Sequence, residues 1–184
     1  RGINVDYFDS STTLDSEEKK LISDWEIDKS KKMILMPGRL TAWKGQETFI
    51  EALNLVNKEL GYESFNAVIL GSDQGRDIYT KKIKRLAEQY RLTNQLKFVE
   101  HCKNMPLAYK ISDIVISASV EPEAFGRVAV EAQSMKKPII ASDIGGSNET
   151  IIDNETGFLF QSGSAEALSK KIVEAIQLDE SRLK

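Results

Sequence analysis

Two carboxylates, Glu123 and Glu131, bracket a Phe125-Gly126 pair in this 184-residue chain. From Arg127 to Ala132 the residues are mostly small and apolar, so the loop turns into a helix starting near Gly126. A helix start presents unpaired N–H groups and the positive end of the macrodipole, which suits a phosphate. Glycine at 126 lets a ligand approach the backbone closely. Glu131 lies about five residues into the helix, roughly 7–8 Å along its axis at about 1.5 Å per residue, and Glu123 lies before its start. A hydroxyl-binding carboxylate therefore stands on either side of a phosphate position. Ribose diol, diphosphate and sugar follow one another in that order in a nucleotide diphosphate sugar. Glu131 is flanked by Ala129, Val130 and Ala132, and a glutamate in such a segment is costly unless partnered.

Arg39 and Lys44 supply the matching positive charge. They sit in a glycine-bounded loop, Gly38-Arg39-Leu40-Thr41-Ala42-Trp43-Lys44-Gly45, and can converge on one anion, the arginine as a planar fork and the lysine as a point charge. Two cations could neutralise a diphosphate without a metal. His101 and Cys102 follow an apolar run, where backbone atoms could edge a base. As a nucleophile and base they are adjacent in sequence and lack an orienting acid. A pair of carboxylates also suits glycoside hydrolysis, in which the phosphate-seeking features would have no role. Gly71-Ser72-Asp73-Gln74-Gly75 lacks the dinucleotide fingerprint spacing, and no Walker-type phosphate loop is present.

These residues need a scaffold, and the hydrophobic pattern provides one. Short apolar runs at 32–36, 65–71, 96–99, 113–118 and 138–142 read as buried strands, and 157–160 reads as a strand or half of a hairpin. Amphipathic helices are expected over 46–60, 77–90 and 165–178, with short ones near 16–25, 104–111 and 148–152. Asn104 is a candidate cap for the helix containing Pro106. Strands alternating with helices imply a parallel sheet covered on both faces, with ligands at the carboxyl ends of the strands. The charged and glycine-rich loops all fall there. Residues 1–31 read as a polar lead-in or linker, leaving 32–184 as the domain proper.

Composition narrows the class. With 41% hydrophobic and 29% charged residues the chain is an ordinary globular domain. A net charge of -3 argues against a general nucleic-acid binder. The single cysteine excludes an internal disulfide and fits a reducing compartment, and with one histidine no His/Cys zinc site can be built. No apolar run approaches the roughly 20 residues of a membrane span. Opening at Arg1 without a methionine, the chain is expected to come from the middle of a longer protein.

Glu123 to Glu131 resembles the motif of two glutamates separated by seven residues in family-4 retaining glycosyltransferases of the GT-B fold. Gly38-Arg39-Leu40 with Lys44-Gly45 resembles that family's diphosphate loop. Pro138-Ile139-Ile140-Ala141-Ser142, Gly145-Gly146, Glu149 and Gly157-Phe158-Leu159 resemble its downstream pattern in the same order, and Arg1 to Val5 resembles the entry to its C-terminal domain. His101 departs from the glycine that many relatives have. Glu121 and Glu123 both offer an acid, of which only Glu123 has the spacing.

The resemblance implies an α/β, Rossmann-like domain forming the donor-binding half of a GT-B enzyme, with its N-terminal acceptor domain absent. It implies that Glu131 binds the ribose hydroxyls and Glu123 those of the donor sugar. Gly38, Arg39 and Lys44, with Ala124 and the Phe125 and Gly126 amides, would surround the diphosphate, and His101, Cys102 and Lys103 would flank the base. Catalysis would rest on Glu123, Arg39 and Lys44, with no metal and no other cofactor. The expected reaction is retaining transfer of a sugar to an acceptor hydroxyl, in surface polysaccharide or lipopolysaccharide synthesis, and the isolated fragment is expected to be inactive. The setting would be cytoplasmic, with peripheral contact at the inner membrane face through the missing half. A nucleotide-sugar epimerase of the same architecture and a non-catalytic nucleotide-sugar-binding module are the alternatives.

Overall fold

The computed structural model describes residues 2–9, 14–62, 64–75 and 77–177. Arg1 and Leu178, the expected ends of the entry segment and of the last helix, lie outside them. Six strands form one parallel sheet: β1 (Lys32–Pro37), β2 (Phe65–Leu70), β3 (Leu96–Val99), β4 (Ile114–Ser117), β5 (Ile139–Ser142) and β6 (Phe158–Phe160). Between and around them run α1 (Asp15–Asp24), α2 (Gln46–Leu60), α3 (Asp77–Gln89), α4 (Met105–Ile111), α5 (Arg127–Ser134), α6 (Ser147–Thr150) and α7 (Ala165–Gln177). No described helix is long and apolar enough to cross a membrane.

Alternate residues of each strand feed two cores, the period of two that a pleated strand imposes. Ile34 and Met36, Ala67 and Ile69, Ile114 and Ile116, and Ile140 pack with α2, α3 and α7 on one face. Met33 and Leu35, Val68 and Leu70, Val115, and Ile139 and Ala141 pack with α4 and α5 on the other. Burial on both faces explains why the strands read as unbroken apolar runs.

Two expectations change. β6 pairs with β5 in parallel, reached through α6, so the hairpin alternative is wrong. The short α6 and its flanking loop carry the chain back across the sheet, which a tight turn cannot do. The lead-in is not a free linker either: Phe8 (6% exposed) and Trp25 (7%) belong to the second core. Phe8 packs edge-on against Tyr109 at 5.8 Å, and its carbonyl accepts a hydrogen bond from Ser134 at the end of α5.

The strand order is β3-β2-β1-β4-β5-β6, so the winding reverses between β1 and β4. Loops leaving those two strands part there and form a crevice. They are held together at its floor, where the Val120 N–H donates to the Trp43 carbonyl at 2.8 Å. Gly45, beginning α2, passes so close beneath that a Cβ on it would lie 1.8 Å from the Ala118 carbonyl oxygen.

Gly45 also has φ of +75°, the value shared by Gly163, around which there is open space. Both positions therefore charge an alanine for its dihedral, about 1–2 kcal/mol, but only Gly45 adds a clash. Gly163→Ala should cost about that amount, and Gly45→Ala about 2 kcal/mol more. Urea denaturation of both variants checks this, and equal losses would show that the close approach does not constrain the fold.

Candidate functional site

The crevice at the switch point is a cleft of about 910 Å³. Gly38, Arg39, Trp43 and Lys44 line it from the loop after β1, and Glu123, Phe125, Gly126 and Glu131 from the loop after β4 and from α5. Asn4, Tyr7 and Phe8 of the lead-in, Tyr109 of α4 and Arg127 of α5 also line it.

The β1 loop is fixed by its own backbone and by α2. Gly38 N–H donates to the Leu70 carbonyl at 2.9 Å and Leu40 N–H to that of Ser72 at 3.1 Å. The buried Gln46 side chain donates to the Arg39 carbonyl at 2.9 Å and accepts from the Tyr79 hydroxyl at 3.2 Å. A three-residue 3₁₀ turn, Ala42–Lys44, then raises Trp43 between the two cations. The Arg39 guanidinium lies 5.8 Å and the Lys44 ammonium 4.5 Å from that ring, within cation–π range. Arg39 and Lys44 thus both contact the Trp43 ring.

The β4 loop is held from below by Gly145-Gly146. A Cβ on Gly145 would lie 2.7 Å from the Glu123 backbone, and one on Gly146 would lie 2.6 Å from the Phe125 carbonyl carbon. Gly146 N–H also donates to the Glu123 carbonyl at 2.8 Å. This close seat explains the glycine pair that sequence alone leaves as punctuation. Gly126 takes a left-handed φ of +64° and starts α5, as expected from its place in the sequence.

Each carboxylate is partnered. Glu123 Oε1 accepts from Lys44 Nζ at 2.6 Å and from the buried Ser119 hydroxyl. Glu131 is only 7% exposed; its Oε2 accepts from the Tyr109 hydroxyl at 2.8 Å and its Oε1 from Arg127 at 3.0 Å. Burial first, and then the neighbouring Glu131 charge, hold the Tyr109 hydroxyl proton on well above the usual phenol range. The partnership meets the cost that a buried glutamate would otherwise carry.

Other expected residues lie elsewhere. Ala124 is exposed and outside the lining; Glu121, set aside for its spacing, is also exposed and outside it. His101, Cys102 and Lys103 do not line the cleft; Lys103 borders an adjoining hollow of about 470 Å³ with Asp6, Tyr7 and Asn104. The Tyr7 hydroxyl reaches the Lys103 carbonyl at 3.5 Å, so this loop and the lead-in form one rim. Asn104 caps α4 as expected, accepting from Leu107 N–H at 3.2 Å. Sequence reasoning missed Tyr109, Trp43, Ser119 and the Tyr7-Phe8 pair. Tyr109 reads as one more apolar residue of a short helix, and only the cost of a lone buried glutamate hinted that it had a partner.

A doubly wound parallel sheet with a cation-bearing cleft at its reversal point, and a helix start facing that cleft, matches the C-terminal domain of a glycosyl transferase group 1 family protein (LpcC) from Francisella tularensis, with a TM-score of 0.81 at 27% identity, covering 100% of this chain and 92% of that one. The chain belongs to the glycosyl transferases group 1 family, whose sequence profile matches residues 17–184. It is 27% identical over 155 residues to a D-inositol 3-phosphate glycosyltransferase of Corynebacterium glutamicum (strain R), covering 83% of this chain and 37% of that protein. A glycosyltransferase of Rickettsia africae ESF-5 superposes with a TM-score of 0.90 at 38% identity, covering 95% of this chain and 45% of that one. Anabaena HepE in complex with UDP-glucose superposes with a TM-score of 0.87 at 27% identity, covering 99% of this chain and 48% of that one. The chain thus spans less than half the length of each of the last three proteins.

Cys102 is half-buried, and burial raises its thiol above the ordinary value, outweighing a smaller lowering by a backbone hydrogen bond at Asn104; the thiol itself donates to the Asn104 carbonyl at 3.2 Å. A raised thiol is poorly ionised and a weak nucleophile. Iodoacetamide should therefore label Cys102 more slowly than it labels a free cysteine at pH 8, with a rate still climbing above pH 9. Fast labelling that levels off near neutral pH would contradict this placement.

Proposed function

We propose that the chain is the donor-binding half of a retaining glycosyltransferase, which moves a sugar from a nucleotide diphosphate sugar to an acceptor hydroxyl without a metal. The carrying observation is that one cleft is lined by the Tyr109–Glu131 pair on α5, by the start of that helix, and by the Lys44–Glu123 pair, whose glutamate precedes the helix in the chain. A nucleotide diphosphate sugar carries the matching groups, a vicinal diol, an anion and a second set of hydroxyls. HepE in complex with UDP-glucose supports the same class of donor.

Glu131 would receive the ribose. Each of its oxygens takes one protein donor, and a carboxylate oxygen has two acceptor sites, so one per oxygen remains for the two adjacent hydroxyls. The diphosphate would lie against the N–H groups that open α5, with Arg39 and Lys44 opposite. Lys44 carries three donors, of which Glu123 takes one. The remaining two can reach phosphate oxygens, so one ammonium touches both sides of the sugar–phosphate bond that must break. Glu123 Oε2, which takes no donor among the described residues, is left for a sugar hydroxyl.

In the proposed step the anomeric C–O bond to the diphosphate breaks as negative charge grows on the leaving oxygen. Arg39, Lys44 and the helix start stabilise that charge where it forms. The acceptor hydroxyl attacks from the same face and its proton passes to the departing phosphate oxygen, so configuration is retained and no enzyme nucleophile is needed. The missing half would bring the acceptor, which by resemblance we place in surface polysaccharide or lipopolysaccharide assembly. The setting we propose is cytoplasmic, with any membrane contact made by that half.

Titration calorimetry with UDP, GDP and ADP tests the donor site. At least one should bind, and Arg39→Ala and Lys44→Ala should each weaken it about 10- to 100-fold, the loss expected for a charge-assisted contact. No binding of any of the three, or unchanged binding in both variants, would overturn the reading.

A further inference from the structure

We infer that Tyr109 is a positioning residue, whose hydroxyl orients the Glu131 carboxylate toward the ribose diol. The inference rests on the donor reading above and extends it to a residue outside the glutamate motif.

The Glu131 side chain has two partners of unequal kind. Arg127 is its helical neighbour one turn back, and the arginine side chain is 70% exposed. An exposed arginine is screened and loosely held, so it fixes a carboxylate poorly. The Tyr109 ring is fully buried, and its hydroxyl meets Oε2 at 2.8 Å from a different helix. Only this second contact ties Glu131 to something that cannot move with α5.

The ring itself is seated firmly. Phe8 packs against it edge-on, with ring planes at 75°, and Tyr7 packs edge-on against Phe8 at 5.0 Å. Ser112, at the end of α4, donates to the Tyr109 carbonyl at 2.7 Å. With its backbone and ring both fixed, the phenol oxygen is held at one point, 2.8 Å from Glu131 Oε2, and its proton turns toward that carboxylate. Its hydroxyl proton is strongly retained, so Tyr109 remains a donor at all ordinary pH values. A donor locked onto Oε2 fixes the rotation of the carboxylate plane and leaves one acceptor position on each oxygen, spaced for adjacent hydroxyls. If Tyr109 served the core alone, a phenylalanine would fill the same volume, and the hydroxyl would have no effect on which sugar is read.

The experiment compares the chain with Tyr109→Phe, using whichever of UDP, GDP and ADP binds best and its 2′-deoxy counterpart. The readout is the ratio of the two dissociation constants by calorimetry, with thermal unfolding measured alongside. The unaltered chain should prefer the ribonucleotide by about tenfold, the worth of one hydroxyl on a carboxylate. Tyr109→Phe should shrink that preference to about two- to threefold through weaker ribonucleotide binding, with deoxynucleotide binding nearly unchanged.

Phe8→Leu provides a second variant should the first not fold: loosening the ring while keeping the hydroxyl should give a preference between the two. Equal weakening of both ligands by Tyr109→Phe, or a preference that both variants leave intact, would overturn the inference while leaving the donor site standing. A chain that binds no nucleotide at all overturns the donor reading and this inference together.

Discussion

The hydrogen bond from Val120 N–H to the Trp43 carbonyl, above the close approach of Gly45 to Ala118, joins the two loops that the sheet itself drives apart. A parallel sheet wound in both directions separates the connections leaving its two central strands. The separation opens a crevice but gives it no fixed width. One backbone hydrogen bond, one position without a Cβ and the Lys44–Glu123 ion pair hold the two loops together here. The first two also set how far Lys44, next to Gly45, can stand from Glu123, and the 2.6 Å ion pair depends on it. A second glycine seat, Gly145-Gly146 under Glu123 to Phe125, fixes the height of the acidic loop.

Electrostatics in the cleft follow from pairing rather than from net charge. Arg39, Lys44 and Arg127 face two carboxylates among the lining residues, and both carboxylates are engaged by cations. Lys44 and Glu123 are each mostly buried, so their attraction is less screened than that of a surface pair. Under the proposed reading the same lysine serves the sugar side and the diphosphate side at once. The Trp43 face gathers Arg39 and Lys44 without neutralising either, since a ring supplies a quadrupole and not a charge. Among its lining residues the cleft thus has one cation more than carboxylates, in a chain whose formal net charge is -3, and under the proposed reading that excess faces the diphosphate.

Much of this was legible in the residues. All six strands fall on mostly apolar runs, because the central strands are buried on both faces and the edge strands β3 and β6 still feed the cores. Asn104 before Pro106, and glycine before the small-residue helix of Glu131, mark helix starts through local chemistry that needs no partner. What was not legible depends on distance in sequence. Lys44 and Glu123 are 79 positions apart and Tyr109 and Glu131 are 22 apart, so no spacing rule joins them. The lead-in misled for a related reason: a mostly polar segment hides Phe8, outside any element, and Trp25, at the end of the short α1, and both enter the core. His101 to Lys103 follow a strand at the ligand end of the sheet, yet β3 is an edge strand, two places from β1 at the reversal point, and its loop reaches only the rim.

A crystal structure of the chain soaked with the tightest-binding nucleoside diphosphate tests the account most directly. The account predicts the diphosphate at the start of α5 within reach of Arg39 and Lys44, and the ribose hydroxyls on Glu131 beside the Tyr109 hydroxyl. A nucleotide bound outside the cleft, or one lying in it with the ribose toward Glu123 and the phosphates toward Glu131, would contradict it.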